Sequence, residues 1–502
     1  MMSSATPGSA SRPRHLVVIT VDEMRGDCLG ANELNPDIRT PHMDHLAARG
    51  VNLTRHFTCF PKCVPARISM MTGRYAHTDG FRTIQQHLPA DRPNVLKTLL
   101  DLGFETAVFG LNHVWEHLFE ASHTPPTLAA GQQGLRIDHH SWTAAFRDIY
   151  DDCQADAPDP AIWRDRVDLD RPLTSDTDYR GDVDWHWSSE AVTRQAIRML
   201  TEVRDPDRRL YLQVNLSPPH PPYAAPQPWY ARYDPDSIEP FPHDLPKGAP
   251  LSLRAQREHR TGLHPDAGLL RRMQAVYYAM IERVDEQVGR IVQAIEDQGL
   301  LGDTVVLFAS DHGDFAGQYG LPEKWDTTFS DCLTHVPCVI AGGGLPSGRC
   351  VASLTEHTDL AVTLLGLLGL EPDWHIHGGD LRPLLSGEID AVRDAVFAEG
   401  GHEAAMRDRF DGTPRQDGKQ RTYQQCPEAM ARARMVRTAD HKLVVRETGD
   451  HELYDLTTDR WEMNNRFGDP ALAAAQAELM ERLLRWCLQT DPDRPHQNLV
   501  SA

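Results

Sequence analysis

The apolar positions of this chain follow two periods. Short β-branched runs alternate with stretches whose apolar residues recur at helical spacing, which predicts an α/β fold built on a mostly parallel sheet. Residues 16–21 predict a first strand, closed by Asp22. A helix over 43–49 follows Thr40-Pro41, and a helix over 95–102 leads through Gly103 into a strand over 106–109. Residues 211–216 predict the next strand. Val276, Met280, Val284, Val288, Ile291 and Ile295 mark the buried face of a long helix from about 270 to 298. Residues 304–309 read as a buried central strand running into Asp311, and 336–341 as another. A strongly apolar helix over 359–368 packs on the sheet.

After Gly387 the pattern shortens. Residues 442–445 and 452–456 predict small antiparallel strands, and 471–488 a closing helix. The expected organisation is a disordered leader over 1–14, a catalytic domain over 15–387 and a C-terminal subdomain over 388–502. The fold class is a large mixed, mostly parallel sheet sandwiched by helices, with a smaller α+β subdomain. Residues 155–184 and 400–434 read as long loops.

Composition narrows the function. The chain has 502 residues, more than one core usually carries. Its net charge of −21 argues against nucleic acid and against anionic membranes as partners. Any anion must therefore meet a local basic site. No apolar run is long enough to span a bilayer. The first fifteen residues lack the apolar core of a signal peptide, and the nine cysteines are scattered, so a cytoplasmic location is expected. Asn52-Leu53-Thr54 and Asn215-Leu216-Ser217 then match the glycosylation pattern by chance.

Ligands gather at the carboxyl ends of parallel strands, and two predicted strands end in metal-type residues, Asp22-Glu23 and Asp311-His312. Each pair alone also reads as turn or cap chemistry. Together they suggest a hard-cation site for Ca²⁺, Mg²⁺ or Mn²⁺.

The sharpest motif is Cys63-Val64-Pro65-Ala66-Arg67, followed by Thr72-Gly73-Arg74. With it come Val21-Asp22-Glu23-Met24-Arg25, Thr40-Pro41-His42-Met43-Asp44, Ala47-Ala48-Arg49-Gly50 and Ser217-Pro218-Pro219-His220. Later in the chain stand Ser310-Asp311-His312-Gly313-Asp314 with Gly317 and Lys324, and Leu453-Tyr454-Asp455-Leu456 with Asp459 and Glu462. In this ordered set the chain resembles the formylglycine-dependent (type I) sulfatases of the alkaline phosphatase superfamily, over nearly its whole length. The resemblance implies that Cys63 is oxidised to formylglycine before folding completes, by a formylglycine-generating enzyme. It implies one divalent metal, Ca²⁺ first among the three, ligated by Asp22, Asp311, His312 and residue 63, with Glu23 as a further candidate. It also implies that Arg67 holds the nucleophile, that His113 assists breakdown of the covalent intermediate, and that His220 and Lys324 contact the sulfate and its leaving oxygen. The implied substrate is a small anionic ester, a sulfated sugar or an aryl sulfate.

Two positions depart from the family pattern. Glu23 stands where sulfatases usually have a second aspartate, and Leu111 stands where they have a lysine that touches sulfate. Losing a cation weakens an anion site unless another replaces it, and Arg74, Arg82 or a loop residue are the candidates. Related hydrolases of phosphonate monoesters and phosphodiesters share both departures in kind, so that activity is the alternative. An inactive binding protein on this fold is a third reading, opposed by the intact Cys63 and Arg67. Trp163 and the run Trp185-His186-Trp187 could form a ring-binding platform or pin their loop to the body. His402 is a candidate substrate-binding residue in the C-terminal loop.

Overall fold

Strand β1 (His15–Asp22) is apolar on both faces because both faces are covered. Val17, Ile19 and Val21 enter one core, and Leu16 and Val18 enter the other. In the computed structural model, which describes residues 12–84, 86–89, 91–115, 135–138, 146–155, 179–182, 184, 186–262, 264–402 and 418–491, β1 lies near the middle of an eight-stranded sheet. Its partners in that sheet are β2 (Gly50–Leu53), β4 (Glu105–Gly110), β5 (Leu135–Asp138), β7 (Leu210–Pro219), β9 (Thr304–Ser310), β11 (Cys338–Gly342) and β12 (Arg349–Val351). The order is β12-β2-β11-β9-β1-β7-β4-β5. Only β11 runs against its neighbours, so the sheet is mixed and mostly parallel, as the alternation of elements predicts.

Helices fill both sides. Pro41–Ala48, Trp187–Arg198 and the 31-residue helix Ala267–Asp297 cover the Val17 face. Cys63–Thr72, Val95–Asp101 and Thr358–Leu367 cover the Leu16 face. Two short pieces, β3 (His56–Phe57) and β13 (Thr355–Glu356), join β10 (His335–Val336) in a second, three-stranded sheet, while β6 (Tyr179–Asp182) pairs with β8 (Tyr223–Ala225). The C-terminal part is an antiparallel sheet of β14 (Val396–Gly400), β15 (Ala433–Arg437), β16 (His441–Arg446) and β17 (Glu452–Asp455). The closing helix Ala473–Gln489 packs on it through Leu479, Leu483 and Trp486.

Three expectations need correction. The span 155–184 is not wholly a loop, because β6 lies within it and pairs with β8. The single strand over 336–341 is broken at Pro337, which has no N–H to continue a ladder, so β10 and β11 serve different sheets. The span 400–434 is not wholly a loop. It contains the helix Gly418–Gln425 and the start of β15, whose Arg434 and Arg437 disguised a strand. Residues 403–417 lie outside the described residues, as do Trp163 and Trp185. Trp187 packs against Ile149, Cys153 and Ala191, which is the pinning role. His186 is buried beside it, its Nε2 3.1 Å from the Pro222 carbonyl.

Candidate active site

The site forms where β1 and β9 end side by side. Thr20 shares the face of Leu16 and Val18, so the chain delivers Asp22 toward the helix Cys63–Thr72. Cys63 is the first residue of that helix, at the end that carries partial positive charge. Pro65 sits in the first turn, where no N–H is needed, and Gly73 closes the helix at φ 69°, a conformation that favours glycine. The motif residues therefore encode a short rigid helix with its first side chain aimed at the strand ends.

Asp22, Cys63, Asp311 and His312 are buried and each offers a ligand atom within 4.8 Å of the others. The Cys63 thiol lies 3.5 Å from Asp22 Oδ1 and 3.2 Å from His312 Nε2. His312 Nδ1 lies 2.9 Å from the Gly313 carbonyl, which as the acceptor fixes the ring with Nε2 as the free lone pair. Gly313 is required here, because a Cβ would meet the Cys332 carbonyl at 2.0 Å. Burial pushes the His312 ring down, so it stays neutral and able to ligate.

Arg67, one turn along the helix from Cys63, spans the two aspartates. Its Nε donates to Asp311 Oδ2 at 2.7 Å and its Nη2 to Asp22 Oδ2 at 3.2 Å. The third nitrogen reaches Thr20 Oγ1 and Asn215 Oδ1, at 3.2 and 3.3 Å. Against the burial that would push it up, Arg67 holds the Asp22 carboxyl well below the ordinary range. Burial and Asp22 push the Cys63 thiol up, so the unmodified side chain is a poor thiolate.

Glu23 turns away from this group. Its φ of 72° is left-handed, an uncommon state for a side chain of this size. The turn is held at three points: its N–H donates to Asp311 Oδ1 at 3.1 Å, its carbonyl accepts from Tyr277 at 2.6 Å, and Arg25 N donates to the same Tyr277 hydroxyl at 3.0 Å. The carboxylate meets Lys324 Nζ at 2.8 Å and approaches His220 Nε2 at 3.6 Å. It shares a second possible ligand cluster with Asp22 and His220, not the one around Cys63. Burial pushes the Glu23 carboxyl up, and the Lys324 ammonium only partly offsets this. Burial and Lys324 push His220 down to about 4. His113 lies at the rim, its Nδ1 3.9 Å from Asp22 Oδ2, and burial with Arg67 pushes it down to about 3.

A divalent cation fits these residues. Two buried carboxylates, on Asp22 and Asp311, and the lone pair of the neutral His312 converge beside the Cys63 side chain. These are oxygen and imidazole donors of the kind a divalent cation takes.

The structure thus brings together nine of the ten candidate positions. The tenth, His402, is buried on Asp326, at 3.7 Å, beside a 2.6 Å contact between Lys62 and Asp326. The replacements considered for the lysine absent at Leu111 lie elsewhere. Arg74 is bound to Asp79, and Arg82 approaches Glu399 at 3.9 Å. Sequence reasoning missed Thr20, Asn215, Tyr277 and Glu323. A polar residue inside an apolar strand was the available signal for Thr20 and Asn215, which are paired neighbours across β1 and β7. Glu323 accepts from Lys324, Lys419 and Arg260, at 3.4, 2.9 and 2.9 Å.

The family model described as Sulfatase matches residues 14–370. An ulvan-active sulfatase of Formosa agariphila is 26% identical, over 93% of this chain and 80% of its own. A multifunctional alkaline phosphatase superfamily protein of Trinickia caryophylli is 26% identical over 95% of each chain. Among solved structures, a phosphonate monoester hydrolase of Agrobacterium radiobacter is similar with a TM-score of 0.72 and 26% identity, over 95% of this chain and 96% of that one.

Proposed function

The chain belongs to the sulfatase family and is a sulfuric ester hydrolase, and from that premise we propose that it works through a formylglycine made from Cys63 and one divalent metal. The observation that carries this reading is the convergence of Asp22, Asp311 and His312 on the Cys63 side chain, at a helix N-terminus, with Arg67 bridging the two aspartates. We take Ca²⁺ as the metal, with Mg²⁺ and Mn²⁺ as the outcomes that metal analysis would distinguish. The substrate we propose is a sulfated sugar or an aryl sulfate.

The metal, when bound, polarises the ester under attack and keeps the nucleophile in its reactive form. Formylglycine at residue 63 would supply, as its hydrate, two hydroxyls on one carbon, one as the nucleophile and one whose deprotonation would restore the aldehyde. Asp22, Asp311 and His312 would hold the metal together with residue 63. Arg67 orients the nucleophile and both aspartates. Lys324 stands as a cation for the leaving oxygen, and His220 can donate a proton from Nε2 once it is charged, with Glu23 placed to stabilise that charge. His113 faces the nucleophile side and would take the proton that frees the second hydroxyl. His402, bound to Asp326, would shape the substrate mouth indirectly. Maturation needs a formylglycine-generating enzyme, and nine unpaired cysteines suit the reducing cytoplasm in which we place the protein.

Leu111 favours a second reading, phosphonate monoester hydrolysis. An apolar side chain follows β4 where a sulfate-contacting lysine would stand, and it could take the organic group on phosphorus. The deciding experiment is a paired kinetic assay on an aryl sulfate and an aryl phosphonate monoester, with peptide mass spectrometry of residue 63. Preference for sulfate with formylglycine present supports the proposal. Preference for the phosphonate selects the second reading. Full turnover by Cys63→Ala would sink the formylglycine mechanism under either.

A further inference from the structure

A cavity of 370 Å³ lies at the seam between the catalytic body and the C-terminal sheet, behind the turn that carries Asp22 and Glu23. None of its lining residues belongs to the Cys63 group. Its walls carry both signs of charge, but the charges do not cancel. Asp27 is bound to Arg25 at 2.6 Å, and Asp331 to Arg437 and Lys442 at 2.9 and 2.6 Å. Glu462 is bound to Lys442, also at 2.6 Å. Every carboxylate on the wall is thus matched, and two guanidinium groups are left over. Among the described residues Arg55 and Arg460 meet no carboxylate at ion-pair distance. Arg55 donates to the Ala439 carbonyl at 3.2 Å, and Arg460 lies 4.2 Å over the Trp461 ring. Burial and the adjacent Arg437 push the Arg55 guanidinium below its ordinary value, and Asp331 and Asp440, at longer range, offset this only in part.

A second, independent observation concerns Gln318. Its side chain lines the same cavity, is 2% exposed, and its amide oxygen has no hydrogen-bond partner. A buried acceptor left unpaired costs about 1–3 kcal/mol, so a donor from an occupant would relieve it. Surplus cations call for an acid group, the amide for a hydroxyl, and Trp461 supplies an aromatic wall.

We propose that this cavity is a second binding site, for a hydroxylated organic anion of about monosaccharide size, a sugar acid or hydroxy acid. The acid group sits between Arg55 and Arg460, and a hydroxyl reaches Gln318. Arg25 links the site to the reaction centre, because its Nη1 donates to the Asp314 and Phe315 carbonyls, at 3.3 and 3.2 Å, and its own N–H reaches Tyr277.

The test is isothermal titration of the holoenzyme with D-glucuronate, with D-glucose as the neutral control. Wild type and Lys324→Ala should both bind glucuronate saturably, and glucose should not bind. Arg460→Glu, at an exposed position that folding tolerates, should weaken glucuronate at least tenfold while leaving aryl-ester turnover unchanged; Arg55→Gln should do the same. Equal affinity in wild type and both arginine variants would overturn the proposal, as would loss of binding in Lys324→Ala alone. The readout is binding, so it stands or falls apart from the chemistry at residue 63.

Discussion

At the scale of single residues, the site depends on one guanidinium serving two buried carboxylates. Arg67→Ala leaves Asp22 and Asp311 facing each other without a shared cation. We expect a loss of about 3–5 kcal/mol in chemical denaturation of the metal-free protein, partly recovered by adding divalent metal. Arg67→Lys should restore little, because a lysine cannot present the fork that meets both oxygens. On the role proposed for Lys324, Lys324→Ala should lower kcat/KM by about 10²–10³, measured on the better aryl ester. Much of this was legible in the sequence, because the motif fixes which residue types stand at the two strand ends and on the first turn of the helix. What sequence could not supply was the pairing. The glutamate at 23 reads as an aspartate substitute, yet in three dimensions it faces Lys324 and His220, 301 and 197 positions away, and nothing local foretells that.

At the scale of elements, the turn after β1 is braced by a helix that begins more than two hundred residues later. Tyr277, on the helix Ala267–Asp297, donates to the Glu23 carbonyl and accepts from the Arg25 N–H, and so spans the turn that the left-handed Glu23 opens. Tyr277→Phe should therefore cost about 1–3 kcal/mol in thermal or denaturant unfolding, and it should lower kcat more than it raises KM, since the turn places Asp22 but does not touch substrate. An unchanged kcat would show that the turn holds without its brace. The strands β1, β7 and β9 and the long helix were readable because burial on two faces, or on one helical stripe, leaves a plain apolar period. The helix Cys63–Thr72 was not read as one, since the proline and the motif spacing drew attention to chemistry instead. The strands β14 and β15 were hidden for a different reason. Their polar side chains, Glu399, Arg434 and Arg437, take their partners from other parts of the molecule and so break the alternation expected of a strand exposed on one face.

At the scale of the whole molecule, Glu399 ties three parts together. It lies on β14, accepts from the His77 N–H at 2.8 Å, and has the His77 ring at 2.7 Å; that ring reaches Thr490, at the end of the closing helix. Burial would push the Glu399 carboxyl up, but His77 and Arg82 hold it down at about 2. A carboxyl lower in the folded than in the unfolded state stabilises above its unfolded value near 4.5 and loses that contribution as pH falls toward 2. The contribution at neutral pH is about 3 kcal/mol by linkage. Glu399→Gln should lower stability at pH 7 and flatten the loss between pH 4.5 and 2, followed by denaturant midpoints across that range. The sheet order has a consequence in time. β1 is made first, yet it is flanked on both sides by strands that emerge late, β7 and β9. At about 5–20 residues per second, the ribosome takes some tens of seconds after Cys63 to complete β9. During that interval the wall that buries Cys63 to 3% exposure does not yet exist. A chain arrested before residue 304 should therefore leave Cys63 open to a thiol-alkylating reagent, and the released, folded cysteine form should protect it.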